Sequence, residues 1–407
     1  MKSLVPLLLV LAFGAGPASD ALAAVSTNHA ADARKTAAGK SAKAASGKAA
    51  KPGKAGAKSV KAGKTAKAAA VAAGAAGAAA ARPRIDYDGE AVDFGEWQAV
   101  RDFQDDMVAQ HGFDRAALRE LVKQTRFVDS AVQLVKPAPP GKPKNWRTYS
   151  ERFIEPIRIN AGVRFWNENA QALARAEATY GVPAEIIAGI IGVETIYGRD
   201  TGRFRVVDVL TTLAFAYPEA PNRVDRMAFF RGELANTLLL ARKEGIDPFS
   251  LLGSFAGAVG MPQFMPGNIL KYGVDFDGDG IVDLRGSPSD AIGSVANFLV
   301  EHGWDRSNTG PAVFEADVAP SMAWQALVGG LAARYRPDEL QAAGVAPRVA
   351  LPEERLYGLV DLQNGADATE YWVANANFFA ITKYNRSYFY AMSVIELGRA
   401  IKLSRGS

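Results

Sequence analysis

The sequence predicts a mainly α fold, of α+β type, on three observations. From about residue 90, apolar residues recur at three- and four-residue spacing, the period of one helix face. Gly and Pro interrupt these runs at intervals that suit globular helices. Short β-like pieces, "RLYGLVDL" and "YWVAN", are confined to residues 305–375, beside a helical "DELQAAG", which marks a small α+β insertion. With 407 residues, 48% of them hydrophobic, the chain can build two or three domains with real cores.

The elements follow in order. Lys2, the apolar run "LVPLLLVLAF" and the small-residue "ALA" at 21–23 have the form of an export leader, with cleavage expected after Ala23. The run is too short to span a bilayer, and no other stretch is long enough. The chain contains no cysteine, which excludes disulfides, thiolate metal sites and a lipid-modified cysteine. A soluble periplasmic protein, not a lipoprotein, is therefore expected.

Residues 24–84 are dominated by Ala, Lys and Gly and cannot bury enough apolar area to offset ordering entropy, so a flexible tail is expected. They hold thirteen Lys or Arg and one Asp, a net of +12, and residues 1–23 are neutral. Of the total +4, residues 85–407 thus carry −8. A globally basic chain hides an acidic folded part. On an exported protein an anionic envelope polymer suits the tail better than nucleic acid, with a plain solvated spacer as the alternative.

"VDFGEWQAVRDFQDDMVAQHGFDRAALRELVKQ" suggests a helical hairpin broken at "HGF", and "PAPPGKPK" at 137–144 a Pro-rich break. "NWRTYSERFIEP" leads into "AGVRFWNENAQALARAEATY", one long amphipathic helix ended by Gly181. The next helix runs from Pro183, in its first turn, to Tyr197, with Gly198 as its terminator. Further helices are expected in "RMAFFRGELANTLLLARKEG", "SPSDAIGSVANFLVEHGW" and the final "FFAITKYNRSYFYAMSVIELGRAIKL". Expected domains are a leader (1–23), the basic tail (24–84), a helical N-terminal part (85–180), a core (181–304), the α+β insertion (305–375) and a C-terminal segment returning to the core (376–407).

Within "GIIGVETIYGR", residues 189–199, Glu194 stands alone among apolar neighbours. Ile187, Ile190, Ile191 and Tyr197 lie three, four or seven positions away and share its side of a helix. Desolvation and the carbonyl end of the helix dipole both raise its pKa, as a general acid for protonating a leaving oxygen requires. The competing reading is a structural ion pair with Arg199 or another cation. Gly189 and Gly192 permit either close approach of another segment or tight core packing.

Four blocks in order, "YGVPAEIIAGIIGVETIYGR", "GSFAGAVGMPQFMP", "DAIGSVANFLVEHGW" and "ITKYNRSYFYAM", resemble the lytic murein transglycosylase B family, over residues 90–404. The resemblance implies a lysozyme-like catalytic core that cleaves peptidoglycan glycan strands without a catalytic cofactor. It also implies that Glu194 is the sole catalytic acid and base. Sequence context offers no partner carboxylate of the kind ordinary glycosidases need. The resemblance further places Ser254, Gln263, Tyr149, Tyr384, Asn385 and Tyr390 in the cleft, with Ser254 able to contact Glu194. The stretch "EAPNRVDRMA" is longer than the family pattern and leaves the substrate-contacting arginine open between Arg226, the first candidate, and Arg231. Each Tyr, taken without the resemblance, reads as core. The Gly-rich block lacks the Lys-Ser/Thr of a phosphate loop.

"DFDGDGIVDLRG", residues 275–286, has the Asp spacing and central Gly of an EF-hand loop but ends in Gly286 instead of Glu. Candidate calcium ligands are Asp275, Asp277, Asp279, the Ile281 carbonyl and a late Asp290, in a structural role. Ser287, Pro288 and Asp290 equally fit a helix-capping box. Two rival functions remain, a hydrolytic muramidase and a non-catalytic wall-binding scaffold.

Overall fold

Helix forms wherever the three- and four-residue apolar period runs unbroken. The structure, a computed structural model, describes residues 89–136 and 143–406. The expected leader, the basic tail and most of the "PAPPGKPK" break lie outside the described residues.

Helices α1 (Gln98–His111) and α2 (Arg115–Gln124) form the expected hairpin. Gly112 turns between them at φ 65, a conformation that costs glycine little, and Asp114 caps α2 by accepting the Ala117 N–H. Helix α3 (Asp129–Leu134) lies against α8 (Val206–Ala216), and α4 (Trp146–Ser150) leads on to the long segment. That segment divides in two, α5 (Pro156–Glu168) and α6 (Ala170–Tyr180). The single expected helix breaks because Asn169 leaves helical geometry and its Nδ2 bonds back to the Phe165 carbonyl at 2.9 Å.

Helix α7 (Ala184–Thr195) is the central rod, touching α5, α6, α11 (Pro288–Glu301) and α14 (Tyr388–Gly406). Ile187, Ile190 and Ile191 are 0% exposed, worth about 1.5–3 kcal/mol each. Gly189 faces the α14 backbone: a Cβ there would lie 2.3 Å from the Val394 carbonyl oxygen. From the opposite side, a Cβ on Gly398 would lie 2.2 Å from the Glu185 carbonyl oxygen. These glycines let α7 and α14 meet backbone to backbone. The helix starts and stops inside its expected limits. Pro183 is its N-cap residue, and Ile196 and Tyr197, at φ 51 and 58, leave the helix before Gly198.

Helices α9 (Arg223–Glu244), α10 (Pro266–Tyr272) and α11 complete the core, with a short pairing of β1 (Phe204–Arg205) and β2 (Leu252–Gly253). Asp208, wholly buried, pairs with Arg205 at 2.7 Å and accepts the Arg126 N–H at 3.0 Å, fastening the N-terminal helices to α8.

The insertion is an antiparallel sheet in the order β4-β3-β6-β5, made of β3 (Val313–Val318), β4 (Val345–Pro347), β5 (Gly358–Asn364) and β6 (Asp367–Ala374), with α12 (Pro337–Ala342) on it. Its own small core contains Leu340, Val345, Tyr357, Leu359 and Val373. The sheet edge also aims α4, because Asn364 Oδ1 accepts the Arg147 N–H at 3.1 Å. The last segment, read as one helical run, bends between α13 (Ala376–Ile381) and α14, and that corner carries Tyr384 and Asn385. Among the described residues, no single helix is long and apolar enough to cross a membrane.

Candidate active site

Glu194 occupies the last turn of α7, and the Tyr390 hydroxyl donates a 2.6 Å hydrogen bond to its Oε1. Protein packs densely around the carboxyl while the side chain keeps a narrow opening to solvent. Burial pushes its pKa from 4.5 to about 8, against the Tyr390 bond, which favours the ionised form. Among the described residues Glu194 has no ion-pair partner. Arg199, the partner of the competing reading, points outward to Asp200 at 3.5 Å.

Three chain segments converge on this carboxyl. The α13–α14 corner supplies Tyr384 and Tyr390, whose rings stack with centroids 6.2 Å apart. Burial pushes both phenols well up, and the nearby Glu194 charge adds to it. Helix α4 brings Tyr149, which packs on Phe389 at 5.4 Å; its phenol is pushed up to about 12, first by burial and then by Glu194. The loop after β2 brings Met261, Pro262 and Gln263. Tyr384 donates to the Pro262 carbonyl, and Thr195 Oγ1 donates to the Met261 carbonyl at 2.8 Å.

Gln263 has φ 51, unfavourable for a side-chain-bearing residue by about 1 kcal/mol. Its Nε2 donates to the carbonyls of Thr201 (3.2 Å) and Gly260 (3.0 Å). Asn385, 8% exposed, lies next to Tyr384 in the corner.

Ser254 and Arg226 each have local partners of their own. Ser254 Oγ accepts the N–H groups of Ala256 (3.3 Å) and Ala258 (3.1 Å), holding its own turn. Arg226 is held on α9 against Tyr217 and Phe230, each ring centroid 5.9 Å away. Tyr197 departs from its expected side, since the left-handed backbone turns its hydroxyl between Gly192 and Gly162.

Other contributors had no reading in the sequence. Arg158 is buried and donates from Nε to the Gly192 carbonyl at 2.9 Å, fixing the last turn of α7; burial lowers its pKa. Thr195 also accepts the Gly198 N–H at 3.0 Å, so the residue beside the acid locks the strained exit of the helix. Its place in "GVET" was the available signal.

Among the described residues, the other buried carboxylates are all engaged elsewhere. Asp208 pairs with Arg205, while Glu233 accepts the Gly267 N–H at 2.7 Å and caps α10. Asp290 accepts the N–H groups of Phe276 (2.8 Å), Asp277 (3.3 Å) and Asp283 (2.8 Å). In the loop, ligand atoms of Asp275, Asp277 and Asp279 gather within 4.8 Å of one another, as a hard cation requires. Gly278 and Gly280, at φ 82 and 94, make the tight turn. Asp290 sits behind that cluster, and Ser287 Oγ accepts its N–H at 3.2 Å as the capping reading requires.

A family profile described as a transglycosylase SLT domain matches residues 95–399. The chain is 43% identical over 322 residues to the membrane-bound lytic murein transglycosylase B of Escherichia coli strain K12, covering 77% of this chain and 85% of that protein. The structure of E. coli lytic transglycosylase Slt35 in complex with calcium matches with a TM-score of 0.69 at 41% identity, over 78% of this chain and 97% of that one. That of Pseudomonas aeruginosa SltB3 in complex with NAG-anhNAM-pentapeptide matches with a TM-score of 0.62 at 28% identity, over 75% and 79%.

Proposed function

The chain belongs to the transglycosylase SLT domain family, and from that premise we propose that it cleaves peptidoglycan with Glu194 acting first as acid and then as base. It is a peptidoglycan lytic transglycosylase. The observation that carries the mechanism is a carboxyl held protonated near neutral pH, bonded to Tyr390, with every other buried carboxylate among the described residues already engaged.

The substrate bond is the β-1,4 link from N-acetylmuramic acid to N-acetylglucosamine. Glu194 gives its proton to the glycosidic oxygen as the bond from that oxygen to the muramoyl C1 breaks. The substrate's own acetamido group stabilises the oxocarbenium-like centre. Glu194, now a carboxylate steadied by the Tyr390 hydroxyl, removes the proton of the muramoyl 6-hydroxyl, whose oxygen bonds to C1. The proton returns to Glu194, and the product ends in 1,6-anhydromuramic acid. The SltB3 complex with NAG-anhNAM-pentapeptide supports this product chemistry. Tyr149, Tyr384 and Asn385 line the sugar path, and the Gln263 amide oxygen accepts from a sugar hydroxyl or acetamide. Ser254 shapes the loop, and Arg226 contacts substrate.

Asp275, Asp277, Asp279 and the Ile281 carbonyl would hold a calcium ion, with Asp290 bracing the loop. The ion would neutralise the acid cluster, in a structural role. Export to the periplasm follows from the leader pattern, with the tail of residues 24–84 contacting anionic envelope polymers.

Peptidoglycan digestion by Glu194→Gln tests the acid directly. Activity falls by at least about 10²-fold, the lower end of what a positioned proton donor contributes. Digestion at the parental rate would leave the scaffold reading standing and sink the mechanism.

A further inference from the structure

A cleft of about 290 Å³ lies between α1 and α9, outside the Glu194 group. Its volume is near the lower end, about 300 Å³, for small-ligand pockets and suits one or two amino-acid residues. Phe103 and Met107 form an apolar floor, with Asp102 and Asp106 on α1 and Arg231 on α9 around it.

The charges are not satisfied internally. Asp102 and Asp106, one helical turn apart, repel each other. Among the described residues Asp102 accepts only the Gln98 amide, at 2.7 Å, whereas the neighbouring Asp105 takes Arg115 as its cation. Among the described residues neither Asp106 nor Arg231 has a hydrogen-bond or ion-pair partner, so opposite charges share one cleft without closing on each other.

The walls are preformed. Met107, Leu118 and Leu238 make a buried cluster beneath the cleft, and Gln104 Nε2 donates to the Leu118 carbonyl at 3.2 Å. Arg242 stacks 4.2 Å over Phe113 and donates to the His111 carbonyl at 2.7 Å. Gly232 breaks the rule for a helix interior, where alanine is preferred. A Cβ there meets nothing within 4 Å, so packing against protein does not require the glycine, and its bare backbone keeps the cleft open.

We propose that this cleft binds the zwitterionic diamino-acid portion of the peptide stem carried by the glycan, its ammonium between Asp102 and Asp106 and its carboxylate at Arg231. The proposal rests on the peptidoglycan reading above and adds a peptide subsite to it. A cation and two anions over an apolar floor match a residue bearing both charges on a short hydrocarbon chain.

The test is calorimetry on the full chain carrying Glu194→Gln, with three probes: the free stem pentapeptide, the same peptide with its side-chain amine acetylated, and the NAG-anhNAM disaccharide without peptide. The free pentapeptide binds; acetylation, Asp106→Asn or Gly232→Leu each weaken it at least tenfold, while the disaccharide binds these variants unchanged. Gly232→Leu projects into the cleft and improves helix propensity, so its melting temperature does not fall and lost binding is not lost folding. Equal pentapeptide affinity in Gly232→Leu and its parent, equal affinity for the acetylated peptide, or no pentapeptide binding would each overturn the proposal. These readouts involve no bond cleavage, so failure of the Glu194 mechanism shows separately, as digestion by Glu194→Gln.

Discussion

Replacing Glu194 with Gln removes a proton site while keeping an acceptor for the Tyr390 hydroxyl, so it isolates the cost of ionising the carboxyl where it sits. The folded carboxyl titrates near 8 and an ordinary one near 4.5. Below pH 4.5 both folded and unfolded chains are protonated and Glu194 carries no penalty. As pH rises the unfolded chain ionises first, the folded state falls behind by about 1.4 kcal/mol per unit, and the penalty stops growing above about 8. At pH 7 this sums to at most about 3.4 kcal/mol, trimmed to about 2 by the opening to solvent. Urea unfolding of both proteins from pH 5 to 8.5 reads it. The Gln variant is more stable than the parent by less than about 1 kcal/mol at pH 5 and by about 2 kcal/mol at pH 7. A difference that stays flat with pH, or a variant that loses stability at high pH, would refute the claim that the pocket holds the acid protonated.

Tyr390→Phe removes the one hydrogen bond that favours the carboxylate, so the alkaline limb of the pH–kcat/KM profile moves up by about one unit. A limb that stays in place would show that the hydroxyl is not felt by the acid. Gly189→Ala forces a Cβ onto the Val394 carbonyl and lowers unfolding free energy by about 1–3 kcal/mol in denaturant melts, although alanine favours helix. EDTA lowers the melting temperature, calcium restores it, and Asp275→Asn abolishes the calcium response; equal melts with and without calcium would leave the loop a capped turn. Removal of residues 24–84 weakens retention on anionic walls and leaves turnover of soluble glycan fragments nearly unchanged.

What was legible in the sequence was what lies on one helix or in one block. Glu194 stood out because isoleucines three and four positions away wall it, and the hairpin at Gly112 and the sheet in 305–375 were visible as breaks in period. What depended on the chain returning to itself was not legible. Tyr390 lies 196 positions from the carboxyl it bonds, and Arg158 lies 34 from the carbonyl it holds. Helical spacing put Tyr197 beside Glu194, yet two left-handed residues turn it away. The Asp290 reading remained double because one carboxylate can cap a helix and bond a loop at once, and in the structure it does both. Glycines 189 and 192 became interpretable only once their neighbours were known, Val394 for one and the Tyr197 hydroxyl for the other.

The central claim is that the nucleophile is the substrate's own 6-hydroxyl, with Glu194 moving every proton. Digestion of peptidoglycan in water enriched in oxygen-18, read by mass spectrometry of the released muropeptides, tests it most directly. The account predicts anhydromuramoyl ends, lighter by one water than hydrolysed ends and free of the heavy isotope. Reducing muramic ends carrying oxygen-18 would make water the nucleophile and the protein a hydrolase.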